Sequence, residues 1–161
     1  MVAKKGRNRP KSTGQAAVNR KVYHNFELLE KFEAGMELTG SEVKSLRTGG
    51  ADLNGSYARI SGGQCWLMGA GISQYEQAGI HNHEPLRKRR LLLHKREIFK
   101  ITVKLEQRGF TLVPLRIYFN NRGLAKIELA LAKGKKLYDK RESLKAKQAK
   151  RELDRALRKK R

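Results

Sequence analysis

The positive charge of this chain is concentrated at its two ends, which limits where a folded domain can form. Of the 161 residues, 37 are Lys or Arg and 15 are Asp or Glu, giving a formal net charge of +22. Residues 1–21 contain 7 basic and no acidic residues, residues 22–132 contain 16 and 11, and residues 133–161 contain 14 and 4. The nearly balanced middle is therefore predicted to fold, with a basic arm on each side.

A net charge this large indicates a polyanionic partner, because self-repulsion of this size exceeds what solubility requires. Nucleic acid is the leading candidate. The alternative is that the cationic side chains are merely solvated surface residues with no binding role. Residues 1–20 are nearly free of apolar side chains and are predicted to be disordered alone. Residues 135–161 lack Gly and Pro but have a thin apolar face, so we expect a helix that forms when a polyanion neutralises it.

Short apolar segments separated by turn residues dominate the middle of the chain. One or two strands are predicted at 22–38, with Ala34 and Gly35 forming a turn. Hairpins are predicted around Gly62-Gly63 and around the sequence NNRG at 120–123. Pro114 is expected at a sheet edge or a bulge.

Two helices are predicted between these strands. Thr39 and Glu42 have the spacing of a capping box, and the helix that they begin should end at Gly49-Gly50. A second helix is predicted at 91–109. Ile98, Ile101 and Leu105 would form its apolar face, and Gly109 would cap its C-terminus. A long irregular loop is predicted before it, ending in the cation run at 87–90. About six short strands and two helices favour a small antiparallel β-barrel or sandwich with peripheral helices.

Motifs that would indicate an enzyme are weak. The sequence HNH at 81–83 places adjacent side chains on a predicted loop, which is a poor metal cage, so a solvated polar loop is expected. The sequence KGKK at 133–136 lacks the first glycine of a phosphate-binding loop. A single cysteine, Cys65, excludes an internal disulfide and favours a reducing compartment. We therefore predict no catalytic residue, metal or cofactor.

No apolar stretch has the length of a membrane span, and the N-terminus lacks the apolar region of a signal peptide. A mitochondrial presequence is disfavoured because the acid-free N-terminal arm shows no amphipathic helical period. A soluble, cytoplasmic, monomeric protein is expected.

Three long motifs occur in one order from about Asn19 to Glu142. They read NRKVYHNFELLEKFEAGMELTGSEVKSLRTGGADLNGSY, NHEPLRKRRLLLHKREI and LAKGKKLYDKRE. Together they closely resemble the small protein B family, the SsrA-RNA (tmRNA)-binding proteins of bacteria. The resemblance implies an oligonucleotide-binding-type β-barrel that binds the tRNA-like domain of tmRNA. Proteins of this family deliver tmRNA to stalled ribosomes for peptide tagging and ribosome rescue, alongside elongation factor Tu, and act as adaptors.

The resemblance also implies two sets of functional residues. The predicted tmRNA-binding residues are Glu33, Lys44, Arg47, Arg89, Arg90, Leu92 and His94. Asparagine is common in the family where this chain has His94, and both side chains can donate a hydrogen bond. The predicted ribosome-binding residues, which would lie in the decoding site, are Gly134, Lys135, Lys136, Tyr138, Asp139, Lys140 and Arg141.

Tyr138 and Asp139 stand out inside this cation run. Some relatives carry histidine in place of Tyr138, so the position calls for a planar ring that can stack on an unpaired base. The other interpretation is that Tyr138 packs on the barrel. Asp139 would accept from a base edge or cap the tail helix.

The sequence therefore predicts a flexible arm at 1–18, an RNA-binding β-barrel at 19–132 and a tail at 133–161 that is helical when bound. A ribosomal structural protein or general RNA chaperone remains the alternative, because it would use the same basic arms. A nuclease is a third hypothesis, and it requires metal-dependent cleavage of RNA.

Overall fold

The computed structural model describes residues 15–107, 109–135 and Gln148. Its elements in chain order are β1 Gln15–Val18, α1 Arg20–Asn25, β2 Phe26–Met36, α2 Gly40–Arg47, β3 Ala51–Asp52, β4 Tyr57–Ser61, β5 Gln64–Met68, β6 Gly71–Ile72, a 3₁₀ helix at Glu76–His81, β7 Arg89–Leu92, α3 Lys95–Leu105, β8 Phe110–Phe119 and β9 Ala125–Gly134. Among these described residues, no helix combines the length and the apolar character needed to cross a membrane.

Six antiparallel strands close into a barrel. Hydrogen bonds join them in the order β8, β4, β5, β7, β2 and β9, and β9 pairs back onto β8. β1 extends the sheet beside β8, while β3 and β6 form a separate two-stranded sheet. This arrangement confirms the predicted small antiparallel β-barrel with peripheral helices. Closure leaves few free strand edges, so the outer faces of the strands are the surfaces available for binding.

The core lies inside the barrel. On β9 the side chains of Ile127, Leu129 and Leu131 are buried in one cluster, as period-2 alternation requires. Leu46 of α2 and Ile101 of α3 belong to the same cluster, so both helices pack against the barrel. A second, smaller cluster includes Val22 of α1 with residues of β8 and β9.

Both predicted hairpins are present. Gly62 and Gly63 link β4 to β5 with φ angles of 58° and 68°, which only glycine adopts readily. The turn at 120–123 joins β8 to β9. The register of these strands shifts between Pro114 and Arg116, so Pro114 lies at a bulge as expected.

The segment at 22–38 differs from its prediction. Its first residues belong to helix α1, and a single strand, β2, runs without a turn through Ala34 and Gly35. Gly35 pairs with Leu92 of β7, and a Cβ atom on Gly35 would lie 3.3 Å from the Cβ of Leu92. The glycine therefore permits close approach of two strands and does not reverse the chain.

The segment at 75–109 is more regular than predicted. The expected loop contains a 3₁₀ helix, and the expected long helix is divided into strand β7 and helix α3. α3 begins after the N-cap residue His94 and ends at the C-cap residue Glu106. Gly109, with a φ of 88°, lies in the turn into β8 and does not cap the helix. Ile101 is buried, and Ile98 and Leu105 are partly buried, as the helical period predicts.

The strands extend beyond the boundaries that we placed at residues 19 and 132. β1 begins at Gln15 and pairs with β8, and β9 ends at Gly134. Ala16 and Ala17 pack partly against the core. Alanines give a weak hydrophobic signal, which explains why β1 was not predicted from the sequence.

Candidate nucleic-acid interface

Glu33 lies on the outer face of β2, between the buried residues Phe32 and Ala34. The hydroxyl of Tyr118 on β8 donates to Oε2 of Glu33, and Nζ of Lys126 on β9 lies 3.2 Å from Oε1. The hydrogen bond from Tyr118, followed by that from Lys126, lowers the pKa of Glu33. Burial and the bond to Glu33 raise the pKa of Tyr118 to about 12. Glu33 is therefore held as an oriented carboxylate on the surface.

A second set of charges continues across the same face. Nε of Arg116 donates to Oε2 of Glu128 at 2.5 Å, and Nζ of Lys31 lies 3.1 Å from Oε1. The guanidinium of Arg116 lies 5.2 Å from the centre of the Tyr118 ring. The outer face of β2, β9 and β8 thus has alternating charges around an aromatic ring, and each group is held by a neighbour.

Three other predicted tmRNA-binding residues lie on β7 or just after it, and β7 pairs with β2 beyond Glu33, at Gly35 and Met36. Leu92 is 51% exposed and pairs with Gly35, two residues along β2 from Glu33. Nε of Arg90 lies 2.6 Å from Oε2 of Glu37, and both side chains are partly exposed. His94 is exposed, and its backbone N–H donates to Glu97 at 2.9 Å. We call Glu33, Arg90, Leu92 and His94 the β2–β7 patch.

Lys44 and Arg47 lie on a different element, the exposed side of α2. Nζ of Lys44 lies 5.4 Å from the centre of the Tyr75 ring, and Cζ of Arg47 lies 5.6 Å from that of Phe119. Their positive charges remain available to phosphates, since a cation–π contact neutralises no charge.

The structure places Arg89 inside the fold, in contrast to the predicted RNA contact. Its side chain is fully buried, and its Nε donates to Glu42 at 2.8 Å. Glu42 is also fully buried and accepts from Nε and Nη2 of Arg87 at 2.7 and 2.6 Å. The backbone N–H of Thr39 donates to the same carboxylate at 2.7 Å. We call Glu42, Arg87 and Arg89 the buried ion cluster.

The other donors of Arg89 are also used within the protein. Nη1 donates to the carbonyls of Ala70 and Arg87 at 2.7 and 3.1 Å, and Nη2 donates to that of Pro85 at 2.8 Å. Burial by itself would raise the pKa of Glu42, but hydrogen bonds from Arg87, Thr39 and Arg89 lower it to about 2. Arg89 is therefore a structural residue that connects β7 to α2.

His83 also differs from its prediction as part of a solvated loop. It is buried, with Nδ1 3.0 Å from Oγ of Ser41 and Nε2 3.1 Å from the carbonyl of Ile72. The side chain of Asn82 bonds both the N–H and the carbonyl of Tyr75. In the part of the chain that the structure describes, no group of three or more His, Cys, Asp or Glu could hold a metal ion.

The start of the tail is anchored on α1. Gly134 ends β9 opposite Phe26, and the backbone N–H of Lys135 donates to the carbonyl of Asn25 at 3.0 Å. Nζ of Lys135 donates to the carbonyl of Tyr23 at 3.2 Å. The remaining predicted tail residues lie outside the described residues; they are Lys136, Tyr138, Asp139, Lys140 and Arg141.

Comparisons with known proteins agree on one family. A family profile described as SmpB protein matches residues 16–159. An SsrA-binding protein of Syntrophobacter fumaroxidans is 57% identical over 143 residues, which cover 89% of this chain and 88% of that protein. An SsrA-binding protein of Symbiobacterium thermophilum is 54% identical over 142 residues, covering 88% and 90% of the two chains. A solved chain described as "tmRNA-SmpB: a journey to the center of the bacterial ribosome" is 49% identical, with a TM-score of 0.66, and the match covers 80% of this chain and 93% of that one.

Proposed function

This chain belongs to the SmpB protein family, and we propose on that premise that it binds the tRNA-like domain of tmRNA and acts in trans-translation. The observation that carries this proposal is the identity with SsrA-binding proteins over most of the chain. The protein works as a cytoplasmic adaptor and not as an enzyme. It delivers tmRNA to stalled ribosomes together with elongation factor Tu, so that the nascent peptide is tagged and the ribosome is released.

The chemistry of the β2–β7 patch supports a role in RNA recognition. In RNA, Glu33 can accept only from donor groups, namely a base amino or imino group or a 2′-hydroxyl, and its orientation by Tyr118 and Lys126 restricts where that donor must lie. Leu92 offers an apolar contact, and His94 a hydrogen bond. Arg90 can pair with a phosphate.

The cations of α2 and the tail would act on the RNA backbone. Lys44 and Arg47 would pair with RNA phosphates and release their counterions. This adds binding affinity but does not depend on the base sequence of the RNA. In the ribosome the tail occupies the decoding site and the message channel, because tmRNA brings no anticodon arm there. Tyr138 stacks on an unpaired ribosomal base in this proposal, and Asp139 fixes the start of the tail helix.

A competition assay tests this function directly. Labelled tRNA-like domain of tmRNA is bound to the full-length protein at near-physiological salt and challenged with total tRNA and random duplex RNA. We expect displacement only at roughly hundredfold or greater excess of either competitor, because specific sites bind far more tightly than phosphate contacts alone.

The generic RNA-binding alternative gives the opposite result in the same assay. With a ribosomal structural protein or RNA chaperone, the competitor would displace the labelled RNA in proportion to the number of competing phosphates. Such a result would overturn the adaptor proposal. RNA length is followed on a gel with magnesium and with manganese, since cleavage would indicate the nuclease hypothesis.

A double-mutant cycle tests whether Tyr118 orients Glu33. Glu33→Gln is expected to weaken tmRNA binding about tenfold or more, because hydrogen bonds to a charged group contribute about 1.5–3 kcal/mol. Tyr118→Phe keeps the ring next to Arg116 and should weaken binding by about three- to tenfold. The double variant should bind no worse than Glu33→Gln alone. Strictly additive losses would show that the Tyr118 hydroxyl acts independently of Glu33.

A further inference from the structure

Helix α3 has an exposed aromatic face that the contacts above do not use. Phe99 is 72% exposed, and Val103, one turn later, is 43% exposed. Ile101 on the same helix is fully buried. Residues two positions apart on a helix differ by about 200° in direction, so Phe99 points away from the core that Ile101 enters. An isolated exposed leucine or valine is ordinary, but a phenylalanine this exposed is a candidate contact for a partner.

Two unpaired positive charges lie on the same side of α3 as this ring. Lys95 and Arg96, four and three residues before Phe99, are exposed, and neither forms an ion pair with any residue within 15–107 or 109–135. The acidic residue of the first turn, Glu97, bonds the backbone of His94, and Lys100 is paired with Glu30. The face therefore combines a flat apolar ring with two free cations.

We propose that this face, Lys95, Arg96, Phe99 and Val103, is a stacking platform for an unpaired base of the tmRNA tRNA-like domain. Only a partner with both negative charge and flat apolar groups complements the ring and the cations together, and unpaired RNA has both. The two basic arms of this chain do not fit, because they would bring cations onto cations. The inference rests on the proposed function and extends its RNA-binding surface along α3.

The position of α3 favours tmRNA over ribosomal RNA as the source of that base. The helix begins directly after Leu92 and His94 of the β2–β7 patch. From Leu92 to Phe99 the chain spans three extended steps and about one helical turn, which limits the separation of their Cα atoms to roughly 16 Å. An RNA held on the β2–β7 patch can reach Phe99 with a few nucleotides. Lys135, where the tail begins, is anchored instead on α1.

Affinity measurements on variants of Phe99 test the platform in the full-length protein. Phe99→Ala is expected to weaken binding to the tRNA-like domain by roughly 5- to 150-fold, the range that loss of one base–aromatic stack produces in single-strand binders. Phe99→Trp should bind at least as well as the wild type. Tryptophan fluorescence of this variant should be quenched by the RNA beyond the change that Trp66 shows in the wild type. Unfolding in urea should be unchanged in both variants, because the side chain is largely exposed.

Tyr57→Ala is the matched control. Tyr57 is also an exposed aromatic, but it lies on β4, which bonds neither β2 nor β7. We expect this variant to bind tmRNA as the wild type does.

Each outcome separates this inference from the proposed function. If Phe99→Ala binds like the wild type while the wild type still resists competing duplex RNA, the platform is wrong and the adaptor function stands. If the wild type itself fails to discriminate, the proposed function is wrong. A loss confined to binding of isolated ribosomes, or to capture of an acidic protein, would overturn the assignment of this face to tmRNA.

Discussion

Replacing Glu42 with glutamine is expected to lower the free energy of unfolding by about 3–5 kcal/mol, because it leaves a buried guanidinium without its counter-charge. Glu42 and Arg89 are both fully buried and lie 2.8 Å apart. Arg89 reaches no solvent through which water could replace the lost charge. The effect is measured by urea unfolding monitored by circular dichroism. The dependence of the free energy of unfolding on urea concentration, the m value, is compared between variants.

Glu37→Gln provides the control for this measurement. It removes a carboxylate that is also paired with an arginine, Arg90, but at the surface, where such pairs contribute about 0–1 kcal/mol. If the free energy of unfolding of Glu42→Gln lies within about 1 kcal/mol of the wild-type value and the m value is unchanged, the cluster is not required for stability.

The buried ion cluster also connects parts of the proposed interface. Glu42 lies in the first turn of α2, and Arg89 lies on β7 directly before Arg90. The same carboxylate therefore fixes the helix of Lys44 and Arg47 relative to the strand of Arg90 and Leu92. Cations that bind phosphates must keep their spacing to match that of the RNA backbone.

Local signals in the sequence predicted much of the fold. Gly62 and Gly63 indicated a hairpin because the turn requires positive φ, and Thr39 with Glu42 indicated the start of α2. These features depend on nearby residues, so a single sequence reveals them.

Features that depend on distant residues were missed. Gly35 resembles a turn residue, and only the pairing with Leu92 explains it. Arg89 sits in a run of four cations, and a run alone does not show which member turns inward. Reading 89–92 as a strand would have placed Arg89 and Arg90 on opposite faces, but three leucines there favoured a helix. His83 is likewise buried by α2 and β6, which are distant in sequence.

Truncation after Lys136 is expected to abolish tagging of stalled peptides while leaving tmRNA affinity within about threefold at near-physiological salt. The β2–β7 patch, α2 and α3 all precede the cut. The removed residues are strongly basic and would contribute to RNA affinity chiefly through counterion release, which salt suppresses. Binding is measured with the labelled tRNA-like domain, and tagging in a reconstituted translation reaction on a message without a stop codon.

Variants of the intact tail separate charge from specific contacts. Tyr138→Ala should reduce tagging more than Tyr138→Phe, because stacking requires the ring and not the hydroxyl. A tail with residues 142–161 shuffled keeps every charge but loses the apolar helical face that the sequence predicts for Ala146, Ala149 and Leu153, and it should also tag poorly. If the shuffled tail tags normally, net charge alone suffices. If truncation instead removes tmRNA affinity and tagging in equal measure, the protein has one continuous RNA-binding surface, and the division between barrel and tail is wrong.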